Sequence, residues 1–74
     1  MEIRRNMRVM CIVNMDVYGY PDLYAKGTVE RVDNDGTALV RWDGPLRYMD
    51  KEDRESFVYM TDIVPERAFG TGEF

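Results

Sequence analysis

Residues 26–44, KGTVERVDNDGTALVRWDG, constrain the fold more than any other stretch of the chain. Two segments rich in β-branched residues flank Asp33-Asn34-Asp35-Gly36, and a second break follows at Asp43-Gly44-Pro45. Asn and Asp tolerate turn geometry, and Gly36 can take the positive φ that ends a short hairpin loop. The spacing predicts a strand from about residue 26 to 33, a tight turn, and a strand over residues 37–42. In the second strand Ala38, Val40 and Trp42 share one face, expected to be the core face, and Thr37, Leu39 and Arg41 the other. In the first, Val29 and Val32 cannot share a face under strict alternation. A bulge near Glu30 or Arg31, or strong coiling, reconciles them. Gly27 stands where a bend or a close backbone approach is tolerated.

The rest of the chain can be read as wrapped around this hairpin. MRVMCIV, residues 7–13, predicts a first strand covered at least in part on both faces. NMDVYGYPDLY, residues 14–24, breaks regularity with Gly19 and Pro21 and predicts a long first loop carrying three tyrosines. Residues 46–49 are expected to form a short further strand, and the charged run DKEDRE, residues 50–55, a solvated loop or one turn of helix. SFVYM, residues 56–60, predicts another strand with Phe57 and Tyr59 on one side and Val58 and Met60 on the other. Asp62-Ile63-Val64-Pro65 then predicts a short 3-10 turn leading into a closing strand, which Pro65 limits to an edge or stops. No stretch sustains apolar spacing at the helical period. The expected fold is therefore all-β, a five-stranded small barrel or highly curled sheet over residues 1–66, with residues 67–74 a loose tail.

A chain of 74 residues holds one small domain, because at this size only about 60% of the unfolded surface is buried. With one cysteine and no histidine there is no disulfide pair or zinc pattern, so stability rests on packing or on a partner. Nothing approaches the roughly 18 apolar residues of a membrane span, and the apolar run at residues 9–13 is too short for a secretory signal. A lone Cys11 in an apolar strand reads as a buried, reduced thiol, and the cytoplasm is the expected compartment.

Catalysis has little to stand on. The familiar nucleophile and base pairings cannot be assembled without histidine, with one strand cysteine and with the single serine Ser56. The hairpin turn is not a calcium loop: with Gly36 as sixth residue, Arg31 and Trp42 would fall where an Asp and a Glu are required. Gly70-Thr71-Gly72 lacks the lysine and the strand-to-helix setting of a phosphate loop. The expectation is a non-catalytic chain with no cofactor and no metal.

Gly27-Thr28-Val29, Val32, Asp35-Gly36-Thr37, Val40 and Trp42-Asp43 resemble the central hairpin of SH3-like small barrels of the Mind-bomb and Tudor type. More loosely, with Phe57 and Val64, the spacing is similar to subunit IV of the photosystem I reaction centre, a stand-alone SH3-like protein of similar length. The resemblance implies a five-stranded SH3-like barrel acting as an adaptor, and does not specify a partner. A tetrameric, pore-forming enzyme of the plasmid dihydrofolate reductase kind is the remote third possibility, and no segment resembles its active site.

In such barrels the first long loop and the turn after the third strand lie at neighbouring corners. Tyr18, Tyr20, Tyr24, Trp42 and Tyr48 are thus expected to line a shallow groove beside Asp43, suited to a cation such as methyl-lysine or to a proline-rich peptide. The plainer reading has Trp42 and one or two tyrosines filling the barrel mouth. Asp50, Glu52, Asp53 and Glu55, with Asp62 and Glu66, form a candidate acidic patch for a basic partner, or one that mimics nucleic acid toward a host enzyme as small phage-encoded inhibitors do. Arg4, Arg5 and Arg8 form a candidate basic edge, the basis of an alternative nucleic-acid role that the net charge of −4 disfavours. They serve equally to keep an edge strand from pairing with other chains. The chain is thus expected to be a protein-interaction module binding a protein or peptide.

Overall fold

A computed structural model describes residues 2–49 and 53–67. The strands are β1 (Arg8–Cys11), β2 (Lys26–Val32), β3 (Thr37–Trp42), β4 (Glu55–Tyr59) and β5 (Ile63–Pro65), with a 3-10 turn, Met60–Asp62, between the last two. They form one antiparallel sheet in the order β4-β3-β2-β1-β5. The sheet curls without closing: β4 and β5 are its edges and do not pair with each other.

The central hairpin sets this arrangement. Gly36 takes φ +88°, and the Asp33 amide donates to the Thr37 carbonyl at 2.9 Å. Asp35 Oδ1 accepts from the Thr37 hydroxyl at 2.6 Å and from its amide at 3.2 Å, which holds the carboxyl below the usual range. Along β2 and β3 the register runs Val29 to Val40, then Arg31 to Leu39, so Glu30 is the extra residue of a bulge. The bulge turns Val32 onto the face of Val29, opposite buried Ala38. Gly27 lies against β3 so closely that a Cβ there would stand 2.7 Å from the Arg41 carbonyl oxygen and 3.0 Å from Trp42 Cα.

Val9, Cys11, Val29, Ala38, Val40, Trp42, Leu46, Val58 and Ile63 make the core, with Ile3 and Tyr20 closing its ends. Burial raises the Cys11 thiol above its ordinary range. The short run expected as a strand at residues 46–49 is instead a turn: Leu46 drops into the core and its carbonyl accepts from the Met49 amide at 3.3 Å. Arg47 pairs with the first loop: the Gly19 amide donates to Arg47 O and the Arg47 amide to Tyr20 O. Asp50, Glu52 and the tail beyond Arg67 lie outside the described residues.

Candidate functional site

Two members of the expected groove, Tyr20 and Trp42, belong to the core. Trp42 is the last inward position of β3 and is only 2% exposed. Its indole Nε1 donates to Ser56 Oγ at 3.2 Å across the β3–β4 pair. Tyr20 enters from the first loop and donates its hydroxyl to Asp62 Oδ2 at 2.5 Å, while the same oxygen accepts from the Tyr59 amide at 3.2 Å. Burial and the Asp62 carboxylate together hold the phenol proton on well above its usual range. The polar tips of both rings are satisfied inside, so neither ring face is open to a ligand.

The other three tyrosines are outside. Tyr18 and Tyr48 are each 68% exposed and Tyr24 is 56% exposed. Six of the nine large apolar side chains exposed among the described residues fall in the first loop or its partner turn: Met15, Val17, Tyr18, Leu23, Tyr24 and Tyr48. Tyr24 (φ 68°) and Tyr48 (φ 62°) both have left-handed backbones, a conformation that costs an L-residue about 1–2 kcal/mol.

Arg47 pins this surface. Its guanidinium donates to Asn14 Oδ1 at 2.6 Å and lies 3.0 Å from Asp22 Oδ1 and 3.6 Å from Asp16 Oδ1. The Asp22 contact is an ion pair whose geometry falls short of a hydrogen bond, since Arg47 Nε has no aligned acceptor among the described residues. Tyr48 adds a short hydrogen bond from its hydroxyl to Asp16, which holds the Tyr48 phenol proton on above its usual range. At the loop's far end the Tyr24 amide donates to Cys11 O at 2.8 Å and the Ala25 amide to Asp22 O at 3.0 Å. The loop is held by side chains and backbone together. Arg47 did not stand out in the sequence, since it follows a turn, and Asp62, expected in a turn and in the acidic patch, is instead buried and held by Tyr20.

Asp43 is exposed at the end of β3, and it faces Arg8 rather than the tyrosines. Arg8 Nη1 donates to Asp43 Oδ1 at 2.9 Å and Nη2 to Oδ2 at 2.5 Å, a bidentate pair. Arg8 also donates to Thr28 Oγ1 at 3.1 Å and lies 3.5 Å from Glu66, which Lys26 reaches at the same distance. Hydrogen bonding to Arg8 holds the Asp43 carboxyl below its usual range, and the arginine is held protonated still more firmly. The expected basic edge is thereby divided: Arg8 joins β1, β2, β3 and the end of β5, while Arg4 is exposed with a loose pair to Glu2 at 3.6 Å and Arg5 is exposed. Of the acidic patch, Asp53 and Glu55 are exposed at the start of β4.

The described residues define a small all-β protein with an apolar, aromatic-rich loop surface. Among them no helix is long and apolar enough to cross a membrane, and no cluster of His, Cys, Asp or Glu could hold a metal. Comparison with protein-family models, curated proteins and solved structures finds no match to this chain.

Proposed function

We propose that the chain is a non-catalytic protein-interaction module of the SH3-like kind, binding a peptide through the first loop and the turn that braces it. The barrel reading draws support from the strand order β4-β3-β2-β1-β5 and from the 3-10 turn between the last two strands. The observation that carries the binding reading is the set Tyr18, Tyr24 and Tyr48: exposed rings, two of them on left-handed backbone, on the first loop and on the turn whose Arg47 pins it. Backbone strain at exposed aromatics gains nothing from burial, and such strain concentrates where a surface is shaped for contact. A loop fixed in advance also loses less entropy on binding.

The ligand chemistry follows from the rings and their neighbours. Asp16 and Asp22 carry two carboxylates against the single Arg47 charge, so the surface keeps a negative excess beside aromatic faces. Proline rings stack on such faces, and arginine or methyl-lysine cations are attracted to them. The nucleic-acid alternative is weaker, because Arg8 is engaged by Asp43 and only Arg4 and Arg5 remain of the basic edge. The buried Cys11 thiol fits a reducing compartment such as the cytoplasm.

Titration of the wild type and of Tyr18→Ala, Tyr24→Ala and Tyr48→Ala with an arginine-flanked proline-rich peptide and with a trimethyl-lysine peptide tests the reading. At least one peptide is expected to bind, and each substitution to weaken it by about tenfold, as for an aromatic contact worth roughly 1–1.5 kcal/mol. Unchanged binding accompanied by a fall in thermal stability would sink the groove and leave the tyrosines as packing.

A further inference from the structure

The outer edge of β4 is a second surface, independent of the loop. The Trp42 amide donates to Arg54 O and the Met60 amide to Gly36 O. In an antiparallel pair with the register Val40 to Ser56 and Ala38 to Val58, these bonds place the rungs at Ser56 and Val58. The backbone groups of Glu55 and Phe57 therefore point away from β3. Among the described residues, Tyr59 alone of the three has its outward amide covered, by the Tyr20 hydroxyl at 3.2 Å. Any strand added here must end short of Tyr59.

The two edges of the sheet contrast. β5 has three residues and ends on Pro65, which are the usual devices for keeping an edge from pairing. β4 has five residues, with no proline, no lysine and no bulge, and it exposes Phe57 and Tyr59 on its outer face. Its open end is acidic. Glu55 and Asp53 are exposed there, and Glu30 on the β2 bulge lies beside Glu55, with Glu30 Oε1 shielded and without a donor among the described residues. Of the arginines nearby, Arg54 Nη1 donates to Asp43 O at 2.6 Å, Arg31 pairs with Asp33 at 2.8 Å while stacking 5.4 Å over the Phe57 ring, and the charge of Arg41 offsets part of the repulsion at Glu30. Arg41 sits one strand in, opposite Glu55. A depression of about 580 Å³ lined by Thr28, Arg41, Asp43, Asp53, Arg54 and Glu55 adjoins this end.

We propose that the β4 edge takes up an extended basic segment of a partner protein as a sixth strand, through the outward backbone groups of Glu55 and Phe57 and the carboxylates of Asp53, Glu55 and Glu30. Backbone pairing supplies affinity, and alternate basic side chains meeting the carboxylates supply the choice of partner. A hydrogen bond between the Glu30 and Glu55 carboxyls, with their mutual repulsion, raises the Glu30 carboxyl above its usual range against the pull of Arg41, and an incoming cation favours the ionised pair.

The probe is a blocked heptapeptide of alternating lysine and valine, with an alternating glutamate and valine peptide as control, titrated into the isotope-labelled full chain. The lysine peptide is expected to shift the Glu55 and Phe57 amides and to slow their hydrogen exchange, and the glutamate peptide to do neither. Glu55→Pro removes an outward amide at the first residue of the strand, a position where proline is tolerated. It is expected to weaken binding by about tenfold, the loss of one ordinary hydrogen bond, whereas Glu55→Gln, which keeps the amide, weakens it by about two- to fivefold. Should Glu55→Pro fail to fold, protection of the wild-type Phe57 amide still decides. Equal binding of both peptides, shifts confined to residues 15–24, or no protection at Phe57 would overturn the proposal. So would concentration-dependent protection without peptide, which would mean that a second copy covers the edge. Tyr18→Ala leaves the expected result intact, so the edge and the loop succeed or fail separately.

Discussion

Tyr20→Phe is the most telling single substitution, because it removes one oxygen and leaves the ring in place. That oxygen serves two groups: it donates to the Asp62 carboxylate at 2.5 Å and accepts from the Tyr59 amide at 3.2 Å. Asp62 is 9% exposed, so its carboxylate would be left with little water in place of the lost donor. Stranding a buried partner costs about 1–3 kcal/mol, and charged groups lie toward the top of that range. A domain of this size without disulfide or metal has only roughly 3–5 kcal/mol in hand. The variant should therefore lose about 2–3 kcal/mol, and its melting temperature should fall by about 10–20 °C. Urea and thermal unfolding followed by circular dichroism measure this, and an unchanged m-value would show that the fold is the same. The alkaline limb gives an independent signature. The Tyr20 phenol keeps its proton in the folded chain above its ordinary value of 10.0, so as pH rises past that value the unfolded chain ionises first. The unfolded state then binds fewer protons than the native one, and stability falls with pH. Tyr20→Phe should flatten that fall relative to wild type, since Tyr48 titrates in both. A loss below about 0.5 kcal/mol, the scale of an ordinary surface change, with an unaltered alkaline limb would refute the reasoning.

Gly27→Ala should cost about 1–3 kcal/mol by urea unfolding, because the new methyl meets Arg41 and Trp42 backbone atoms that cannot move aside cheaply. Arg8→Met should cost only about 0.5–1 kcal/mol at neutral pH, since Arg8 and Asp43 are about half exposed. Because the Asp43 carboxyl is lowered in the folded chain, that stabilisation is present above the ordinary carboxylate range and is lost as pH falls through the folded value, so the wild-type and variant unfolding curves should converge in acid. Tyr24→Gly should leave stability unchanged or raise it by up to about 1 kcal/mol by relieving the left-handed backbone, while calorimetric titration shows weaker peptide binding.

The hairpin was legible because its signals are local. Asp35-Gly36 fixes a turn by its own chemistry, the alternation of Ala38, Val40 and Trp42 fixes a face, and the misfit of Val29 and Val32 marks the bulge at Glu30. The 3-10 turn before Pro65 was readable for the same reason. Residues 46–49 misled because a lone buried Leu46 among turn residues looks the same as a short strand until the partners are known; the Leu46 carbonyl turns back to Met49, and the first loop takes both backbone groups of Arg47. The site was half legible. Sequence placed the tyrosines together, but whether a ring faces inward depends on what meets its polar tip. Tyr20 finds Asp62 at a separation of 42 residues and Trp42 finds Ser56 at 14, and no local pattern encodes either. Arg8 was read as an edge charge because its partner Asp43 lies 35 residues away.

We propose the pinned first loop as a ligand surface. The loop is tested by chemical-shift mapping of the isotope-labelled chain during titration with the arginine-flanked proline-rich peptide and, separately, with the trimethyl-lysine peptide. Saturable shifts are expected with at least one peptide, concentrated at residues 15–24 and 46–48, with Tyr18, Tyr24 and Tyr48 among the largest. No saturable shifts in that region, or shifts centred on Arg4 and Arg5, would contradict it.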